Sequence, residues 1–196
     1  KIAAETAEDR DKEKLLAIHR KARMFGFNLG KIEYRETAEE YSRVVKVLMS
    51  YAHDKEEFRE FIKPFRNQRS SNTLTEMLRH QDTWEQWAKI ASSFLNEAKG
   101  EELRNYKDED KGDRAITYHT LRRMQLARDF DGMITHNVLA ECKGTQNLLE
   151  ALALQVATAT PQEDGTIKRA LMHIVPLFEE AETMKQIPDV LNKGLE

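Results

Sequence analysis

Four times along this chain a hydroxyl or carboxylate residue stands three positions ahead of a glutamate, at the head of an apolar run. The pairs are Thr37 with Glu40, Asp54 with Glu57, Asp82 with Glu85, and Thr160 with Glu163. At a helix start the first side chain accepts from an orphan amide, and the glutamate reaches back to a second one. Pro161 strengthens the last case, because proline suits the first helical position. Behind these heads the apolar residues recur at spacings of three and four, which places them on one helical face. Tyr41, Val44, Val45, Leu48, Met49 and Ala52 form one such stripe. Phe58, Phe61 and Ile62 form a second, and Trp84, Trp87, Ala88, Ala91, Leu95 and Ala98 a third. Ile167, Leu171, Ile174, Val175, Phe178 and Ala181 form a fourth, in which Pro176 predicts a kink.

The remaining segments read the same way. Residues 4–25 predict a helix with Leu15, Ile18, Ala22 and Phe25 inward, ended by the glycines at 26 and 30. Asp113 caps a helix through Leu121, Met124 and Ala127. A restart at Met133 runs to about Thr158, with Val138, Cys142, Leu149, Leu152 and Val156 inward. Pro64 and Pro188 stop helices, because proline lacks the amide that the helix ladder needs. Glycine (8) and proline (4) are scarce, and strong helix formers dominate. The expected fold class is therefore all-α: a compact multi-helix bundle of about seven or eight helices. The charged loop 105–113 divides an N-terminal half, 1–104, from a C-terminal half, 113–196, as two helical subdomains or as parts of one continuous domain. No repeat and no sustained heptad pattern interrupts this reading.

Charge excludes little. The net charge is −3, with a mild cationic excess early and an acidic excess late. The single cysteine, Cys142, permits no intramolecular disulfide, and it points to a reducing, cytoplasmic setting. No apolar run is long enough to span a membrane.

Most chemical signatures fail on spacing. Gly26 and Gly30 before Lys31 are one residue too close for a phosphate loop, and Ile32 stands where Ser or Thr belongs. No metal site is expected: HExxH and CxxC are absent, and His136 and Glu141 are five apart, a poor helical geometry for one ion. No cofactor is expected either. Cys142 reads as a buried, inert thiol. Glu179-Glu180 and Asp108-Glu109-Asp110 read as solvated faces.

Three functional readings remain. Arg114-Ala115-Ile116-Thr117-Tyr118-His119 is similar to the Arg-x4-His spacing of HEPN-type ribonucleases, which are helical bundles. That resemblance implies catalytic roles for Arg114 and His119: the arginine holds a phosphate while the histidine moves a proton. Lys63, Phe65, Arg66 and Arg69 lie in a polar loop, 63–72, that suits a nucleic-acid backbone with Phe65 stacked on a base; Arg122 and Arg123 add a second cluster. The leading expectation is a non-enzymatic interaction or scaffold module, a subunit of a larger assembly with protein partners. Its support is surplus apolar surface: Val47 and Tyr51, and Ile90 and Phe94, lie beside the main stripes.

Overall fold

The Thr37 cap forms as its sequence predicts: the Glu40 amide donates to Thr37 Oγ1 at 3.2 Å, and a helix begins at Ala38. The reciprocal half of the box does not form: the Thr37 amide donates to Glu36 Oε1 at 3.2 Å, and Glu40 instead accepts from Thr120 and Arg123. The computed structural model describes residues 14–20, 32–63, 78, 81–99, 109–129, 134–159 and 172–195. In chain order these give β1 (Ile32–Thr37), α1 (Ala38–Asp54), α2 (Glu56–Ile62), α3 (Gln81–Ala98), α4 (Glu109–Asp129), β2 (Ile134–Ala140), α5 (Thr145–Ala157), β3 (His173–Pro176), α6 (Ala181–Lys185) and α7 (Ile187–Leu195). The chain divides into two units, Lys1–Ile32 and Glu33–Glu196. In the first, residues 14–20 are helical; Ile18, expected inward, is exposed. The second unit carries everything that follows.

The predominantly helical character is as expected. The stripes on α1 and α3 point inward, with Tyr41, Val44, Leu48, Trp87, Ala91 and Leu95 buried. Helix α5 is the central element, since Ala151 and Ala153 to Ala157 leave it almost no wet face. It packs against α1 and α3. Trp87 Nε1 donates to the Ala153 carbonyl at 2.8 Å, fixing that contact by direction as well as by area. Helix α4 closes the other sides of α1 and α3 with Ala115, Leu121, Met124 and Ala127.

A small sheet of order β1-β2-β3 is added to these helices. β2 and β3 run parallel, with His136 opposite His173 and Leu139 opposite Pro176. Parallel neighbours need a crossover, and the β2–β3 connection contains α5. The helix expected from Met133 to Thr158 is thus a strand, a turn and a shorter helix. The reason is burial on both faces: Asn137 to Ala140 are all buried, so the strand lacks the alternation that distinguishes it from a helix. Likewise the segment around Pro176 is a strand and not a kinked helix. Proline is tolerated there because β3 lies at the edge of the sheet.

Four boundaries also shift. Asp54 ends α1 and does not cap α2, whose start at Lys55 has no side-chain cap. Helix α3 already contains Asp82, and α4 begins at Glu109, ahead of Asp113. Pro188 lies in the first turn of α7, where its missing amide has no helical partner to lose. Thr160 to Glu163, Ile167 and Leu171 lie outside the described residues.

Candidate functional site

The carboxyl ends of β2 and β3 meet in a turn whose backbone is stitched across the strands. The Leu177 amide donates to the Leu139 carbonyl at 2.9 Å, and the Cys142 amide donates to the Leu177 carbonyl at 3.0 Å. This brings Glu141-Cys142-Lys143, which follow β2, against Glu179 and Glu180, which follow β3. Lys143 Nζ lies 3.5 Å from Glu180 Oε1. Arg35, near the end of β1, reaches Glu179 at 3.6 Å. A cavity of about 130 Å³ opens here, lined by Glu141, Cys142, Lys143, Glu179, Glu180 and Thr183. A larger one of about 630 Å³ shares Glu141 and Lys143 and extends along α1 past Ser42, Arg43 and Lys46.

Backbone geometry singles out one residue in this turn. Glu141 has φ of 55°, the left-handed region that L-residues with a Cβ avoid. Its side chain is exposed, so no packing requirement explains a glutamate where glycine fits best. Strained backbone of this kind concentrates at functional sites. The neighbouring Cys142 thiol is buried, which pushes its pKa up, and its Sγ points to the Gly144 carbonyl at 3.8 Å. Any cation entering the cleft would meet Glu141, Glu179 and Glu180. Among the described residues no group of three ligand side chains is close enough to hold a metal ion.

The residues singled out from sequence lie elsewhere. Arg114 stacks on Phe94 at 5.1 Å and faces Glu97 at 3.6 Å. Glu97 also accepts from Lys55 and Tyr51, and the bond from Lys55 holds its carboxyl below the usual range. His119 is exposed and packs edge-on against Tyr118, about 140° around α4 from Arg114. The structure does not bring the pair together. Arg123 Nη2 is held by Glu36 and Glu40, both at 2.8 Å, and Arg122 bonds Gln125. Lys63 is exposed beside Glu60, and Phe65, Arg66 and Arg69 lie outside the described residues. His136 pairs with His173 on the strands and is not a partner of Glu141. The surplus apolar surface is mostly internal: Ile90 and Phe94 are fully buried, and Tyr51 meets Phe94 edge-on at 5.3 Å. Val47 lines the larger cavity.

The small sheet thus carries a charged cleft at the carboxyl ends of its paired strands. The family model of phosphoenolpyruvate carboxylase matches this chain over residues 2–196. The chain belongs to the phosphoenolpyruvate carboxylase family. Comparison with curated proteins and with solved structures gives no significant match. The family match overturns the expectation of a non-enzymatic scaffold or structural subunit, together with the nucleic-acid-binding and ribonuclease alternatives. Among the described residues no helix is long and apolar enough to cross a membrane.

The residues of this cleft were missed for a physical reason. Glu141, Lys143, Glu179 and Glu180 are exposed charges, identical in sequence to those of a solvated helix face. The available signal was the β-branched runs that precede them, Ile134-Thr135 with Val138, and Ile174-Val175.

Proposed function

We propose that this chain carries part of a phosphoenolpyruvate-carboxylating site, centred on Glu141, Lys143, Glu179 and Glu180 at the ends of β2 and β3. The observation that carries the reading is the cross-strand stitch that sets Glu141 and Lys143 beside Glu179 and Glu180. The family match supplies the reaction class. Phosphoenolpyruvate bears a phosphate and a carboxylate, so its binding calls for fixed cations. Lys143 and, beside it, Arg35 are exposed cations paired with Glu180 and Glu179 that could turn to such a ligand, and Arg43 and Lys46 extend the cationic groups into the adjoining cavity. The carboxylates of the rim orient these cations, and they are also the groups available to accept a proton. A free, buried Cys142 suits a cytoplasmic setting, which belongs to the same proposal.

Incorporation of labelled bicarbonate into acid-stable product, with phosphoenolpyruvate as acceptor, tests this reading. Lys143→Ala removes one charge-assisted contact, so kcat/KM should fall by about 10- to 100-fold. Lys185→Ala, in α6 and paired with Glu182, is the control and should leave it unchanged. Wild-type kinetics in Lys143→Ala would remove the cleft from the reaction.

A further inference from the structure

Beneath the cleft a chain of hydrogen bonds connects a buried acid to the turn. Glu150, on α5, is 6% exposed. Its carboxylate accepts from Ser42 Oγ of α1 at 2.5 Å, from Gln146 Nε2 at 3.0 Å and from Asn147 Nδ2 at 3.4 Å. Asn147 then uses the other end of its amide: its Oδ1 accepts from the Lys143 backbone N–H at 3.0 Å. An asparagine amide has one donor end and one acceptor end, so a carboxylate on the donor end dictates that the acceptor end faces Lys143. The turn has no side-chain cap at Gly144, and Asn147 is the third residue of α5 reaching back to it. Asn147 and Ser42 both line the larger cavity, with Glu141 and Lys143.

Building on the function proposed above, we infer that Asn147 and Glu150 are positioning residues for the cleft. The Glu150 carboxylate polarises and orients the Asn147 amide. That amide holds the Lys143 N–H and thereby keeps the left-handed turn at Glu141 and the Lys143 side chain aimed at substrate. Neither residue need touch phosphoenolpyruvate. Ser42 anchors the acid to α1, so the turn takes its position from the helical core as well as from the sheet.

Exchange of the Lys143 amide, read on the intact chain by NMR or on a peptide covering the turn, separates this role from general stability. Asn147→Ala deletes the acceptor, and exchange at Lys143 should accelerate about fivefold, the factor one hydrogen bond supplies. KM for phosphoenolpyruvate should rise more than kcat falls. Asn147→Asp keeps an acceptor but sets a second carboxylate against Glu150, so it should exchange as fast as Asn147→Ala. Adding Glu150→Gln restores a donor–acceptor pair with its polarity reversed. The double variant Asn147→Asp/Glu150→Gln should therefore return to within about twofold of wild-type exchange, a rescue that loss of packing cannot produce. The inference is overturned if Lys143 exchange is unchanged in Asn147→Ala, or if the double variant exchanges as fast as Asn147→Asp alone. Should Asn147→Ala fail to fold, the comparison of Asn147→Asp with the double variant decides alone. A wild-type chain that neither carboxylates nor binds phosphoenolpyruvate would refute the functional reading, while the exchange data still decide the relay.

Discussion

Replacing Glu141 by alanine and, separately, by glycine turns its backbone geometry into a measurement of sign. Both changes remove the carboxylate, and the side chain is exposed, so lost packing is small and common to the two. They differ in the backbone. At φ of 55° a residue with a Cβ carries about 1–2 kcal/mol of steric cost, which glycine lacks. Glycine has the more disordered unfolded state, which costs it about 0.5–1 kcal/mol against alanine. The difference favours Glu141→Gly over Glu141→Ala by up to about 1.5 kcal/mol, with about 1 kcal/mol a central value. In a chain of this size that is about 2–4 °C in thermal midpoint. Urea and thermal unfolding followed by far-UV circular dichroism measure it directly. At an ordinary strand or helix position the order reverses and alanine is the more stable. An alanine variant more stable than the glycine variant would refute the left-handed turn, and with it the argument that strain is held at the cleft. In the carboxylation assay the two variants should be similarly impaired, because the glycine gains stability without regaining the carboxylate.

Trp87→Phe should destabilise the second unit by about 2 kcal/mol, half from the hydrogen bond to the Ala153 carbonyl and half from the cavity left by the smaller ring. A drop in thermal midpoint below about 1 °C would show that α3 and α5 do not meet as described. Glu36 makes a pH-dependent prediction. Burial is the largest cause raising its pKa, Glu40 adds to it, and Arg123 opposes. Between the unfolded and the raised folded value the native state binds more protons than the unfolded state, so its stability contribution falls as pH rises through that window. Glu36→Gln removes this dependence, and the stability of the variant relative to wild type should increase from pH 4 to pH 7. A flat or falling difference in urea titrations at the two pH values would contradict the burial.

What could be read from sequence, and what could not, divides along a physical line. Helices α1 and α3 have one wet face and one dry face, so their period is visible and their inward residues follow from it. Helix α5 from Glu150 onward and strand β2 from Asn137 onward have almost no wet face. In Val138, Leu139 and Cys142, and again in Leu149, Leu152 and Val156, an apolar run fits either period, and the boundary between strand and helix at Glu141 to Gly144 disappears into one imagined helix. β3 is hidden for a different reason: it alternates exposed and half-buried positions over only four residues, its exposed Val175 is apolar, and Pro176 suggests a kinked helix until the edge position of the strand is known. The cleft lies where these two unreadable boundaries meet. Lys143 and Glu180 are far apart in sequence and approach only because β2 and β3 pair in parallel, so no local pattern could have joined them. Arg114 and His119 show the converse: five residues apart, they looked like a pair, yet the helix that carries both turns them to different sides. The left-handed Glu141 completes the argument. Local preference would place glycine there, and a conflict between local preference and observed structure that no core contact accounts for is what a site imposes on its scaffold. The features that made the cleft hardest to read are therefore the ones that support its assignment, and Asn147 with Glu150 shows the scaffold holding that conflict in place.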